Sequence, residues 1–214
     1  MPINLHLGCS LEAMKTMEDN TYDLAVVDPP YGINIVKSMD QDRKGSSMYR
    51  HSWDDYGASK RWDSDIPPPE YFQELKRVSR NQIIWGGNYF LDYLGNTKCF
   101  LVWNKMNGTN PMADCELAHT TLDSPVRMFS MHHFSQGYGK KIHPTQKPVA
   151  LYSWIFDRFT KPGMKILDTH LGSGSIALAA HDHNLDLDAW EIDPDYHQAA
   201  LDRLNQHQRQ VRLF

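Results

Sequence analysis

The chain has 214 residues, 41% of them apolar and 22% charged, and a formal net charge of -4. This suits one α/β domain with a sizeable core and excludes a disordered chain. No apolar run approaches the length of a membrane span. The N-terminus has no basic start followed by an apolar stretch, so no secretion signal is expected. Cys9, Cys99 and Cys115 show neither zinc spacing nor a disulfide framework, and a cytoplasmic location without a bound metal is expected. The negative net charge argues mildly against nucleic acid as a partner, but the charge is unevenly placed. Residues 37–62 hold Lys37, Arg43, Lys44, Arg50, Lys60 and Arg61, residues 140–147 hold Lys140, Lys141, His143 and Lys147, and the acids concentrate in 182–195.

In chain order, SLEAMKTM (10–17) has helical spacing. YDLAVVD (22–28) is a β-branched apolar run that ends in an acid and two prolines, the pattern of a buried strand entering a loop. Residues 67–79 open on prolines and carry Tyr71, Phe72, Leu75 and Val78 at helical spacing. Strands are expected over 81–87 and 98–105. An amphipathic helix is expected over 148–160, stopped by Lys161, Pro162 and Gly163. Strand 164–170, a helix from Ser175, strand 187–193 and a closing helix from Pro194 complete the pattern. Such alternation predicts a doubly wound, mostly parallel sheet with helices on both faces. Residues 32–66 and 121–142 have no clear period, and long irregular stretches inside a compact domain are usually functional loops. Together these features predict one domain over 1–214 with two loop insertions.

Two clusters carry chemistry. In ILDTHLGSGSIALAA (166–180) a strand ends in Asp168, then Gly172 and Gly174 open a helix. Glycines allow close backbone approach to a ligand, and the helix start offers free N–H groups. Glu191 ends the next strand about twenty residues later, where doubly wound nucleotide folds place an acid on ribose hydroxyls. Ala177 in the third glycine position is a permitted variant of the dinucleotide fingerprint, so this cluster alone leaves a dinucleotide cofactor open. The second cluster is Asp28-Pro29-Pro30-Tyr31 at the end of the first apolar strand. The exocyclic amine of a base is a poor nucleophile because its lone pair is delocalised into the ring. A carboxylate and a carbonyl held by rigid prolines can accept its N–H groups, and Tyr31 can stack on a base taken out of the duplex.

The motifs DPPYG (28–32), WGGNYF (85–90), VWNK (102–105), HPTQKPVALYSWIF (143–156), LDTHLGSGS (167–175) and EIDPDY (191–196) resemble those of the amino-methylating DNA methyltransferases. The catalytic motif precedes the cofactor motif, which is the order of the β class. The chain looks most like compact phage-type DNA adenine methylases, enzymes also found in restriction-modification. The resemblance implies a Rossmann-like methyltransferase fold, S-adenosylmethionine as cofactor and DNA as substrate. It implies that Asp28, Pro29, Pro30 and Tyr31 form the catalytic loop. Asp168, Gly172 and Gly174 would hold the methionine part of the cofactor, and Glu191 the ribose. His143, Thr145, Gln146 and Lys147 would lie near the methionine end, with Trp85 and Asn88 shaping the same cleft. Members often show phenylalanine in the motif that reads His170-Leu171 here. Asp rather than Ser before Pro-Pro-Tyr favours adenine N6. Cytosine N4, RNA adenine N6, and a DNA-binding module without catalysis are the alternatives. The insertions 32–66 and 121–142 are expected to read DNA, with Arg43, Lys44, Trp53, Lys60, Arg61 and Trp62 as contacts that neutralise phosphates or stack on bases. A homodimer is left open.

Overall fold

The computed structural model of the chain describes residues 1–33, 63–108, 113–132, 142–143 and 145–209. Eight strands form one sheet: β1 (Ile3–Leu7), β2 (Tyr22–Val27), β3 (Ser79–Trp85), β4 (Phe100–Asn104), β5 (Cys115–Thr120), β6 (Arg127–Ser130), β7 (Lys165–Asp168) and β8 (Asp186–Glu191). Their order is β1-β8-β7-β2-β3-β5-β4-β6. Only the β3–β5 and β5–β4 pairings are antiparallel. The sheet is therefore mostly parallel, as the alternating sequence pattern predicts.

Helices cover both faces. α1 (Ser10–Lys15) and α2 (Pro69–Val78) bury Met14, Tyr71, Phe72 and Leu75 against Ala25, Val27, Ile84 and Leu167. On the other face, α4 (Val149–Phe159), α5 (Ser175–Asp182) and α6 (Pro194–Arg209) cover Leu24, Val26, Ile83 and Trp85. The short α3 (Leu91–Leu94) follows a one-turn 3₁₀ helix at Gly87–Tyr89. Successive β2 residues point to opposite faces and both faces are covered. This is why 24–27 reads as an unbroken apolar run rather than an alternating one.

Three strands were not expected. β1 mixes exposed and part-buried residues and has no fully buried one. β6 lies at the sheet edge with Arg127, Met128 and Ser130 exposed, and it turns part of the expected irregular stretch 121–142 into sheet. β5 carries Glu116 and His119 inside a strand whose first half is only part-buried, so no apolar period betrays it. β3 also begins earlier than expected. Ser79 leaves α2 directly into the strand, its hydroxyl donating to the Leu75 carbonyl (2.6 Å).

The winding locates the cleft. From β2 the chain crosses through α2 to β3 on one side, and from β7 it crosses through α5 to β8 on the other. β2 and β7 are parallel neighbours, with Ala25 opposite Leu167. Open α/β sheets hold ligands at such a reversal point, beyond the C-terminal ends of the strands. Asp28 follows β2 and Asp168 ends β7, so both acids reach this point. Among the described residues no helix is long and apolar enough to cross a membrane, and no group of three or more His, Cys, Asp or Glu is placed to hold a metal.

Candidate active site

Asp28 sits at the mouth of β2 with both carboxylate oxygens engaged. Oδ1 accepts the Tyr31 hydroxyl at 2.6 Å, and Oδ2 lies 2.5 Å from Lys147 Nζ. The Lys147 side chain is 2% exposed, and its ammonium also donates to the Tyr31 oxygen at 3.2 Å. It stands 5.5 Å from the Trp85 ring centroid and 5.7 Å from that of Tyr31, within cation–π range. A second carboxylate meets the same ammonium: Glu116 Oε2 is 3.0 Å from Lys147 Nζ but lacks hydrogen-bond alignment, while Oε1 is 2.7 Å from Lys105 Nζ. Burial raises Asp28 above the ordinary carboxylate range, Lys147 opposes the rise and Glu116 adds to it. Burial also favours neutral Glu116, but Lys147 and Lys105 outweigh it and hold this carboxyl down at about 2. Burial works against the charge on Lys147, and Asp28 and Glu116 overcome it, so the lysine stays an ammonium.

The rest of the Asp28-Pro29-Pro30-Tyr31 loop is fixed from outside the motif. Pro29 is buried and Pro30 half-buried. The Tyr31 ring stacks on Tyr89 (centroids 5.0 Å apart, planes 16° apart), so one of its faces is already covered. It lies against Gly86, where a Cβ would fall 2.2 Å from the ring. Gly86 also has φ +68, so the first glycine of WGGN both allows the left-handed turn and makes room for Tyr31. Asp63, 5% exposed, accepts the Tyr31 and Gly32 N–H groups through Oδ1 at 2.7 and 3.0 Å. Its neighbours give no pattern that marks it in the sequence. Asp63→Ala is expected to loosen this loop by about 1.5–3 kcal/mol, the usual worth of hydrogen bonds to a charged group. The expected readout is reduced turnover with unchanged cofactor affinity; unchanged turnover would show that the loop holds its shape without the clamp.

Across the crevice, Asp168 is 3% exposed and accepts the His170 N–H at 3.0 Å. Among the described residues no cation pairs with it, and burial pushes its carboxyl up to about 8. Glu191 ties the glycine turn to the end of β8: Oε2 accepts the Gly172 N–H (2.8 Å) and Oε1 the Asp193 N–H (2.9 Å). Gly174, expected to give a ligand room, instead faces α6, where a Cβ would lie 3.0 Å from the Ala200 Cβ. Its φ of +70 and this helix contact are what require glycine there. His170 is locked by Thr169, whose hydroxyl lies 2.9 Å from its Nδ1 and 2.6 Å from the Tyr71 hydroxyl, and burial lowers the imidazole to about 4.

The HPTQKP segment joins the two halves. His143 lies over Gly172, 3.8 Å from where a Cβ would be, with its ring edge-on to Tyr196 and its Nδ1 3.2 Å from the Thr145 hydroxyl. Burial lowers its imidazole to about 4, so it is neutral. Gln146 closes the turn by accepting the Ile142 N–H (3.1 Å). His143, Thr145 and Gln146 thus sit on the glycine-turn side. Lys147 spans the two sides: its ammonium pairs with the Asp28 and Glu116 carboxylates, and its charge also reaches Asp168 and His143. Trp85 is fully buried with no partner for its indole N–H among the described residues, while Asn88 is exposed. Glu116, Lys105 and Asp63 were missed from the sequence. The expected DNA contacts Arg43, Lys44, Trp53, Lys60, Arg61 and Trp62 all lie outside the described residues.

An N6/N4 methyltransferase family model, described as DNA methylase, matches residues 97–202. That match, the relatives and the fold together support an amino-methylating DNA methyltransferase. It is 24% identical to the type II methyltransferase M.HpaI of Haemophilus parainfluenzae, over 93% of this chain and 74% of that one. The fold is similar to M1.HpyAVI, solved as an S-adenosylmethionine complex: TM-score 0.63, 19% identity, 95% of this chain and all of the other covered. It is also similar to the cytosine-N4-specific PvuII methyltransferase, with TM-score 0.60, 12% identity and coverage of 95% and 90%. The methyltransferase takes S-adenosylmethionine as cofactor and transfers its methyl group to an exocyclic amine of a DNA base. The crevice suits that cofactor chemically. Asp168, a buried carboxyl with no ion-pair partner among the described residues, matches an ammonium, and Glu191 keeps lone pairs for hydroxyl donors.

Proposed function

We propose that the methyltransferase acts on adenine N6 in DNA, in the cytoplasm, with Asp28 accepting the target amine. The observation that carries this reading is a half-buried, aligned carboxylate at the mouth of β2, adjacent to the cofactor crevice. A carboxylate accepts from an amine more strongly than a hydroxyl does, which helps either base; Asp rather than Ser before Pro-Pro-Tyr is what favours adenine. Cytosine N4 stays the second reading, because the family takes in both amines. Sequencing modified bases in DNA incubated with protein and cofactor tests it: N6-methyladenine is expected. N4-methylcytosine would move the target, and methylation confined to RNA would overturn the substrate.

In this reading Asp168 holds the cofactor's ammonium, the Gly172 turn and Glu191 hold its ribose, and His143 closes over the turn as a neutral side chain. When bound, S-adenosylmethionine supplies an electrophilic methyl group whose sulfur keeps the bonding pair. The Pro29–Pro30 carbonyls and Asp28 orient the amine nitrogen for in-line attack, with no covalent enzyme intermediate. Tyr31 holds Asp28 through its hydroxyl and presents its ring edge and Tyr89 to the base.

DNA contacts are assigned to the insertions 32–66 and 121–142 of the single domain. Changing Arg43, Lys44, Lys60 and Arg61 together to alanine is expected to weaken DNA binding and reduce its salt slope by up to about 0.9 per lost phosphate contact. Cofactor affinity is expected to stay unchanged. DNA affinity across a salt series checks this. Identical slopes for parent and variant would pass the backbone contacts to residues 135–147.

A further inference from the structure

We propose that Glu116 is a positioning residue for methyl transfer: by sharing the Lys147 ammonium with Asp28, it keeps Asp28 an effective hydrogen-bond and proton acceptor. This rests on the reading of Asp28 as the acceptor for the target amine. The juxtaposition comes from topology. β5 runs against both its neighbours, so its first residues lie at the edge where the parallel strands end. Glu116 therefore meets Lys105, which follows β4, and Lys147, which precedes α4. Four charges, two of each sign, are packed together there.

With Lys147 alone beside it, Asp28 would be a closed ion pair. Tyr31 already occupies Oδ1, and an ammonium 2.5 Å from Oδ2 would stabilise the anion against taking anything further. Glu116, 3.0 Å from the same ammonium, draws on that charge from the other side. Lys147 and, after it, Lys105 keep Glu116 ionised, so that the proton goes to Asp28 and not to Glu116. Among the described residues, the titratable groups coupled to this cluster include Tyr31 from the β2 loop, Lys105 after β4, Glu116 on β5, His143 and Lys147 before α4, Tyr152 on α4, and Asp168 on β7. The reaction needs such an acceptor. Once its new N–C bond has formed, the amine carries one proton too many. That N–H bond breaks, its electron pair stays on nitrogen, and the proton passes to an Asp28 carboxylate oxygen and then to solvent.

Glu116→Gln keeps the shape and removes the charge. In ligand-free protein, the Asp28 titration midpoint, followed by carboxyl carbon-13 NMR and assigned with Asp28→Asn, is expected to fall by about one pH unit. The acid limb of single-turnover DNA methylation is expected to move the same way, with a lower plateau. Lys105→Met leaves Glu116 less neutralised and should move the midpoint upward; it decides the matter if Glu116→Gln does not fold. A rate lowered equally at every pH, with the midpoint unmoved in both variants, overturns the role of Glu116 alone. A midpoint that moves while the acid limb stays fixed overturns both this role and the acceptor reading of Asp28.

Discussion

Asp28→Asn is expected to lower single-turnover methylation of DNA by roughly 10²–10⁴-fold, the usual range for losing a positioned acid–base group, while leaving cofactor affinity near the parental value. The two effects separate because Asp28 and the cofactor groups lie on different strands. Among the described residues Asp28 bonds to Tyr31 and Lys147, whereas the hydrogen bonds of Asp168, Gly172 and Glu191 run to other partners. Asparagine keeps the size and one acceptor oxygen but loses the charge, and its amide group can donate to the target amine's lone pair instead of accepting its N–H. Lys147 still has Glu116 as a counter-ion, so the fold does not inherit a stranded ammonium. Labelled methyl transfer to DNA beside calorimetric cofactor titration checks both halves. Near-parental turnover would remove Asp28 from the chemistry, and lost cofactor affinity would place it in the wrong half of the crevice.

Asp168→Asn is expected to do something less usual: stabilise the ligand-free protein and cripple cofactor binding. Burial places the Asp168 carboxyl at about 8 against an ordinary 3.8. A carboxyl raised in the folded state holds its proton where the unfolded chain has lost it. Its contribution to stability therefore falls as pH rises through that window, and the full penalty is reached above about 8. Asparagine stays neutral, so the variant should lose this decline and gain on the order of a few kcal/mol at the alkaline end. The same charge is what a cofactor ammonium needs. Cofactor affinity should fall by at least about 1.5–3 kcal/mol, and binding by the parent near neutral pH should release a proton. Thermal unfolding of both proteins at the two ends of the window, and titration calorimetry in buffers of different ionisation enthalpy, provide the measurements. A variant no more stable than its parent at alkaline pH would mean that Asp168 is ionised in the free protein.

Much of this site was legible because it is written in local chemistry. The acids that close β2, β7 and β8 follow apolar runs, the glycine turn follows β7, and the DPPY and HPTQKP motifs are contiguous. Asp28, Asp168, Glu191 and His143 could therefore be named before any fold was known, and the alternation of apolar runs with helical spacing determined the doubly wound class. Tertiary structure decided which of these residues meet. Lys147 belongs to a motif whose other members turn toward the glycine loop, yet a long flexible stem lets its charge cross to Asp28 and Glu116. Gly174 needs no side chain because of Ala200, more than twenty residues away. Glu116 and Asp63 carry no local mark, since an acid in a half-polar strand or within an aperiodic segment looks like a solvated one. Their importance arises only when β5 inserts antiparallel between β3 and β4 and when residue 63 returns to the catalytic loop. Coulomb forces and hydrogen bonds act over a few ångströms of space, not along the chain, so the partners that tune these acids had to be found in the fold.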